Sequence, residues 1–524
     1  MKASGATAAA TMVSRVLGLV REMAYAAFMG KSWVADAFFV AFMVPNLFRR
    51  LLGEGALTAA FIPIFKEKEK LEGDKAMWQA ANAVISGLMI FTCIVVAAGL
   101  VIVSAALVFG GQAENGATRF TGKTLLMLEL VRMMLPYLLL VCLAAVFMGM
   151  LNARGHFFIP ALGAATLNVV MIASVLWLAP RLGRELHDQI FALAIGVVAA
   201  GVAQAAFQLP SLRREGFAYR WVSPWKDETV RRVVKQMLPA TIGVAAFQIN
   251  VVLTQGLAYW VDDYIVASFQ YAVRLLELPQ GLFGISLATY LLPTLSGLAA
   301  EKKYDTFRSE LRQGLGYLVF ANLIASVLLM ALAEPIVRLL FERGKFDATS
   351  TDQSALALMC LAPGLVAFSV VNVLARAFYA LGDTRTPMKT SVFCLLLNLL
   401  LAGMLVWRYK QAGLGIANTV TSLVNVGLLL YALRRKLKKL EMTSLRAELL
   451  PLALAGTVAG LIAWYGWRFW EQSLGHETLA LKIGAVFVPA AAAGLAYFLA
   501  TAWANVGHAQ EISQLILRKF KPPR

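Results

Sequence analysis

Apolar runs of about twenty residues follow one another along nearly the whole chain, separated by short polar breaks. A run of that length is what an α-helix needs to cross a hydrocarbon core roughly 30 Å thick, at about 1.5 Å per residue. In lipid, each backbone N–H and C=O must be satisfied within the protein, which favours helices as the spanning element. The pattern predicts fourteen spans, near residues 7–28, 33–65, 78–109, 124–151, 159–179, 189–210, 236–258, 265–299, 313–333, 354–380, 388–406, 413–433, 447–466 and 483–504.

The polar breaks and prolines recur. Residues 131–160 align without gaps to 358–387, setting Pro136 on Pro363, Ala153 on Ala380, Gly155 on Gly382 and Pro160 on Pro387. A second match, shifted by a few residues, sets Pro45 against Pro279 and Pro63 against Pro293. The repeat is about 230 residues long, or six spans, so both copies are expected to share one orientation. The predicted fold is therefore an all-α polytopic membrane protein with two parallel-repeat six-helix lobes. Residues 1–222 and 223–440 form the lobes, and 441–524 adds two spans and a tail. Two such bundles facing each other, with a substrate site between them near mid-membrane, is a transporter architecture.

Composition agrees with this reading. The 524 residues are 59% hydrophobic and 15% charged, and mean hydropathy is +0.69. A soluble domain is nearer half apolar and a quarter charged. The net charge of +18 invites nucleic acid as a partner, but its placement argues otherwise. Of the 48 lysines and arginines, 29 fall on one side of the predicted spans and 12 on the other. That asymmetry marks the richer side, with both termini, as cytoplasmic. No removable signal peptide is expected, because the first apolar stretch carries Arg15, Arg21 and Glu22. Cys93, Cys142, Cys360 and Cys394 lie in apolar segments at no motif spacing, and neither a disulfide framework nor a metal site is expected. His156, His187, His476 and His508 fall in turns, loops or the tail.

Seven arginines remain inside the spans, and they carry the candidate chemistry. An ionised arginine at the centre of a membrane helix costs roughly 2.5–3.5 kcal/mol on insertion scales. Arg15, Arg21, Arg49 and Arg274 are tolerable there if they face a watered cavity, and a cationic cavity implies an anionic cargo. Arginine suits a diphosphate because its planar fork donates in pairs to phosphate oxygens. In the first span, Ser14, Arg15, Gly18 and Glu22 lie close to one helix face. Asp36 and Arg50, fourteen residues apart, return near the same face of the second span. Asp36 falls at its outer end, as a gate or a cap. Pro45, Gly53 and Gly55, the last two flanking Glu54, are expected flex points there. Arg274 and Glu277 are an i, i+3 pair just before Pro279. Blander readings exist: Arg49 and Arg50 as snorkelling anchors, and Arg15 with Glu22 or Arg274 with Glu277 as stapling ion pairs. For Arg132 and Arg376 the bland reading is preferred.

The stretches "SRVLGLVREMAYAAFMG", "DAFFVAFMVPNLFRRLLGEGALTAAFIPIF", "YAVRLLELPQGLFGISLATYLLPTLS" and "ARAFYALGDTRTPMKT" closely resemble the MurJ (MviN) family of lipid II flippases. These belong to the multidrug/oligosaccharidyl-lipid/polysaccharide exporter superfamily. The resemblance covers the whole chain. It implies two lobes around a V-shaped cationic cavity that alternates between inward- and outward-open states in the bacterial cytoplasmic membrane. The implied cargo is lipid II, an undecaprenyl-diphosphate disaccharide-pentapeptide, and the last two spans are expected to guide its tail. Arg15, Arg21, Arg49 and Arg274 match the family's essential arginines; Asp36, Arg50, Glu54 and Glu277 match its other charged positions. Some members carry a lysine where this chain has Met43. No cofactor is implied. Spans seven and eleven hold no Asp or Glu, which leaves Asn250 and Asn398 as weak cation ligands. The membrane potential, or a monovalent cation, is the expected energy source, and one chain is expected to be the transport unit in contact with membrane lipids.

Three rival functions are weighed. An exporter of another polyprenyl-diphosphate-linked oligosaccharide would use the same arginines. A MATE-like exporter of cationic drugs calls for an acidic cavity. A membrane enzyme on lipid-linked sugars calls for a catalytic carboxylate or metal site, usually with sizeable extramembrane loops. The longest loop here is about 25 residues, near 211–235.

Overall fold

The computed structural model describes residues 2–50, 56–111, 120–225, 227–440, 443–511 and 514. Among them there is helix and no strand. The chain divides into two compact units, Met1–Ala267 and Ser268–Arg524.

The first unit holds α1 (Lys2–Met29), α2 (Trp33–Phe48), α3 (Ala56–Gly111), α4 (Gly122–Met134), α5 (Tyr137–Ala153) and α6 (Phe158–Ala173). A π-helical turn, Ser174–Leu178, leads on to α7 (Ala179–Leu182), α8 (Leu186–Gln189), α9 (Phe191–Arg214) and α10 (Glu228–Val261). Here α1 packs on α6, α6 on α9, α5 on α3 and α9, α2 on α4, and α10 on α3. The next helix, α11 (Ile265–Pro279), crosses the division. The second unit continues through a π-helical turn, Gln280–Ile285, to α12 (Ser286–Ala300), α13 (Tyr304–Ala331), α14 (Ala333–Phe341), α15 (Ala348–Leu361) and α16 (Gly364–Ala380). It ends with α17 (Arg385–Leu437), α18 (Thr443–Leu474) and α19 (Leu479–Trp503).

Among the described residues, eight helices are long and apolar enough to cross a membrane, or ten if each of two bent pairs is one span; α2 is a shorter apolar helix. Two of the eight are far longer than a bilayer is thick. At about 1.5 Å per residue, the 56 residues of α3 and the 53 of α17 would each run roughly 80 Å. Each has a break inside it: Gly73 in α3 (φ 82°, ψ 175°) and Lys410 in α17 (φ 49°, ψ −128°). Both interruptions fall in polar connections between predicted spans.

The segments matched by the repeat have the same local build. α4 meets α5 at a 44° bend and α15 meets α16 at 46°. The bends fall at Pro136 and Pro363, where a missing N–H and a bulky ring end the preceding helix. Both second helices then close with the same C-terminal pattern. Gly155 N–H donates to Asn152 and His156 N–H to Leu151; Gly382 N–H donates to Tyr379 and Asp383 N–H to Phe378. Gly155 (φ +86°) and Gly382 (φ +70°) supply the left-handed residue that this motif requires.

The core of the second unit has two parts. One joins α12, α13, α16 and α17 through Leu291, Phe307, Leu311, Leu374, Phe378 and Leu433. The other seats α18 and α19 on α13, through Phe320, Trp467, Tyr497 and a file of alanines. On the outer side predicted from charge, Arg338 of α14 reaches Glu334 (2.6 Å), Glu342 (3.4 Å) and Glu471 (3.0 Å), and Lys482 reaches Glu342 (3.4 Å). Ion pairs thus fasten the α14 region to the last turn of α18, through Glu471, and to the first turn of α19, through Lys482.

Candidate functional site

The three arginines of the first unit sit in different surroundings. Arg21 is largely enclosed, with 12% of its side chain exposed. One guanidinium nitrogen donates to Asn168 Oδ1 at 3.0 Å, another pairs with Glu22, and the plane lies 5.5 Å from the Tyr25 ring centroid. Asn168, buried in α6, turns its amide nitrogen to the carbonyl of Ser14 at 3.1 Å. Gly18 faces the same amide, which an added Cβ would meet at 3.7 Å. The predicted face of Ser14 and Gly18 is therefore the face that meets α6. Glu22, which shares that predicted face with Arg15, takes Arg21 as an ion-pair partner. Arg15 is exposed and has no ion pair among the described residues.

Arg49 donates to Asn46 Oδ1 at 2.9 Å, one turn earlier on the same helix. Residues 49 and 50 wind as a π turn just after Pro45 has removed a backbone donor from α2. Arg50 is half-buried, as is Arg49. Gly53, Glu54 and Gly55 lie outside the described residues. Met43 is buried in α2.

Asp36 is fully buried near the start of α2. Its carboxylate accepts from the backbone N–H of Ala267 at 2.7 Å, satisfying an orphan donor in the first turn of α11, and pairs with Lys123 at 3.3 Å. Lys123 also donates to the carbonyls of Tyr259 and Asp262 and pairs with Asp263 at 3.1 Å. One buried carboxylate thus joins the starts of α2, α4 and α11.

In the second unit, Arg274 pairs with Glu277 at 2.7 Å, with 35% and 45% of the two side chains exposed. Pro279 ends α11 three residues after Leu276, and the π turn Gln280–Ile285 follows at once. Pro45 and Pro279 therefore both precede a wide turn of backbone, where the helix hydrogen-bond ladder is already loosened. Arg376 donates to Thr289 at 2.7 Å.

Reading the sequence found the charged residues and missed two partners. Asn168 shows only as a lone amide in an apolar run, and Lys123 falls in the polar break just before a predicted span. Among the described residues, no three His, Cys, Asp or Glu side chains gather as metal ligands would.

Residues 25–483 match the family model described as lipid II flippase MurJ. The chain belongs to the MurJ family. A probable lipid II flippase MurJ of Vibrio cholerae is 31% identical over 90% of this chain and 92% of its own length. A lipid II flippase MurJ of Burkholderia cenocepacia is 32% identical over 88% and 89%. Among solved structures, a lipid II flippase MurJ in an inward closed conformation aligns with TM-score 0.74 at 22% identity, covering 94% of this chain and 98% of that one. An inward-facing multidrug resistance MATE transporter of the MOP superfamily aligns with TM-score 0.66 at 16% identity, covering 84% and 99%. At those identities the structural likenesses speak for the fold. Membership of the MurJ family makes this a transporter rather than an enzyme, built from several apolar helices as a multi-pass membrane protein.

Proposed function

We propose that this protein carries lipid II from the inner to the outer leaflet of the bacterial cytoplasmic membrane by alternating access through a cationic cavity. The observation that carries this reading is a set of arginines in otherwise apolar helices, two of them held by an adjacent carboxylate: Arg21 by Glu22 and Arg274 by Glu277. Such pairs keep a guanidinium charged and oriented before a stronger anion arrives. Arg21, Arg49 and Arg274 bind the diphosphate, and Arg15 supports them. Neutralising that charge shifts the balance between the inward- and outward-open states. The π turns after Pro45 and Pro279 take up the bending, with Gly53 and Gly55 beside the first. The tail runs in lipid along α18 and α19. Both termini face the cytoplasm, fourteen spans form two six-helix lobes plus a pair, and a single chain is the working unit. No cofactor is involved. The membrane potential, worth about 2.3 kcal/mol per charge per 100 mV, or a monovalent cation supplies the bias.

The test is leaflet-resolved lipid II in cells depleted of this protein and of any redundant flippase. Lipid II accumulates on the inner leaflet, wild type restores its exit, Arg274→Ala does not, and Arg274→Lys restores part of it. Lipid II reaching the outer leaflet in depleted cells removes it as the cargo. Normal transport by Arg274→Ala removes Arg274 from the site.

A further inference from the structure

The connection between α9 and α10 is the longest loop between predicted spans, and transport as proposed leaves it without a task. It is not a loose tether. Phe217 is buried against Trp78 and Phe147, with ring centroids 5.5 and 6.0 Å apart. Asn82 of α3 donates to the carbonyl of Ala218 at 3.1 Å, and Ser86 meets the Tyr219 hydroxyl at 3.1 Å. Pro224 is seated on Gly87 of α3, where an added Cβ would come within 3.2 Å of its ring. The segment is thus laid along the first turns of an apolar part of α3, at the end that the charge distribution assigns to the cytoplasm.

What this stapled segment presents outward is aromatic and basic. Trp221 is 62% exposed and Trp225 is 73% exposed. Tryptophan is enriched at the bilayer interface because its ring is apolar and its N–H is polar. Beyond Trp225, Asp227 caps α10 by accepting from Thr229 and Val230. At 100° per residue, Arg231, Val234, Lys235 and Leu238 then fall in one stripe about 100° wide. Pro224, Trp225, Asp227, Val230 and that stripe enclose an open cleft of ≈ 360 Å³, in which one Asp227 carboxylate oxygen is taken up by the first backbone amides of α10. Arg232, one residue off the stripe, is committed to Glu67 by a two-pronged pair at 3.0 and 2.9 Å. Arg231 and Lys235 have no such carboxylate among the described residues. The cleft therefore offers two cations against one carboxylate that caps α10, with an exposed indole and two exposed aliphatic side chains, all beside an apolar helix.

We propose that this cleft binds an anionic phospholipid of the cytoplasmic leaflet. Arg231 and Lys235 take the headgroup phosphate, while Trp225, Val234 and Leu238 lie against the glycerol and the upper acyl chain. A basic side chain near an anionic leaflet is worth about 1 kcal/mol, or roughly fivefold in occupancy per cation at room temperature.

The full-length protein in phosphatidylcholine vesicles tests this by fluorescence quenching with brominated phospholipids. The Trp225 contribution is the difference between wild type and Trp225→Phe. Brominated phosphatidylglycerol quenches that contribution half-maximally at about fivefold lower mole fraction, or less, than brominated phosphatidylcholine. Arg231→Gln with Lys235→Gln abolishes the preference. Arg213→Gln with Arg214→Gln, a basic pair on the same connection outside the cleft, keeps it. All four positions are exposed, so neither variant disturbs the core. Equal quenching by both lipids in wild type overturns the proposal, as does a preference that survives loss of Arg231 and Lys235. Loss of preference in both variants reduces the effect to diffuse surface charge. Displacement of phosphatidylglycerol by a smaller mole fraction of a polyprenyl diphosphate assigns the cleft to cargo and overturns the phospholipid.

Discussion

Arg21 keeps its charge in an apolar helix by finding acceptors in two places, Glu22 beside it and Asn168 on α6. A hydrogen bond to a charged group contributes about 1.5–3 kcal/mol. Asn168→Leu keeps the volume and removes the acceptor, so the unfolding free energy should fall by an amount in that range, seen as a lower melting temperature of the purified protein, and complementation of a depletion strain should weaken. A variant that melts and complements like wild type would show that Asn168 does not hold Arg21. The asymmetry between what the sequence shows and hides is sharp at this scale. Arg15, Arg21, Arg49 and Arg274 announce themselves because a charge inside an apolar run has a cost. Their partners carry no such mark. Asn168 lies 147 residues from Arg21, and Lys123 lies 87 from Asp36. Neither pairing leaves a periodicity to read.

Helix ends were more legible than helix partners, because proline and glycine act through the local backbone. The alignment of Pro136 with Pro363, and of Gly155 with Gly382, corresponds to matching bends and matching left-handed closures. A Cβ at Gly382 would meet nothing within 4 Å, so Gly382→Ala should cost only the backbone penalty, about 1 kcal/mol, seen as a modest drop in melting temperature. The next residue does more. Asp383 accepts from the Thr386 backbone at 3.0 Å and from Lys436 at 2.8 Å. The Lys436 ammonium, then the Thr386 donors, hold its carboxyl down at about 2. A depressed carboxylate stabilises the fold above its unfolded value near 4 and loses that contribution as pH falls toward 2. The melting-temperature gap between wild type and Asp383→Asn should therefore be constant above about pH 5 and close between about pH 4 and 2. A gap that persists at pH 2 would mean that Asp383 acts through shape alone. The sequence also marked where the two longest elements break: Gly73 and Lys410, both with non-helical backbone, each separate two helices in a polar connection between predicted spans.

For the whole molecule, hydropathy and charge settled the class, and the family followed from motifs spread along the chain. The number of crossings did not come out as simply, because short, bent or interrupted helices such as α2, α4 with α5, and α17 satisfy a bilayer without each being one straight apolar rod. Orientation is open to direct measurement. In a cysteine-free background, Lys70→Cys should label with an impermeant maleimide only from the cytoplasmic side, and Lys410→Cys only from outside; the reverse pattern would invert the topology. The last two helices raise a different matter. They rest on α13 through Phe320 and Tyr497, and the last turn of α18 ends on Arg338 through Glu471. Anyone transplanting this pair onto a related exporter that lacks it would have to move a receiving surface as well: the α13 face, and an arginine on the short helix after it. The pair and its seat are in that sense one unit, and a graft of the two helices alone would leave Glu471 and Lys482 without the α14-side partners they have here.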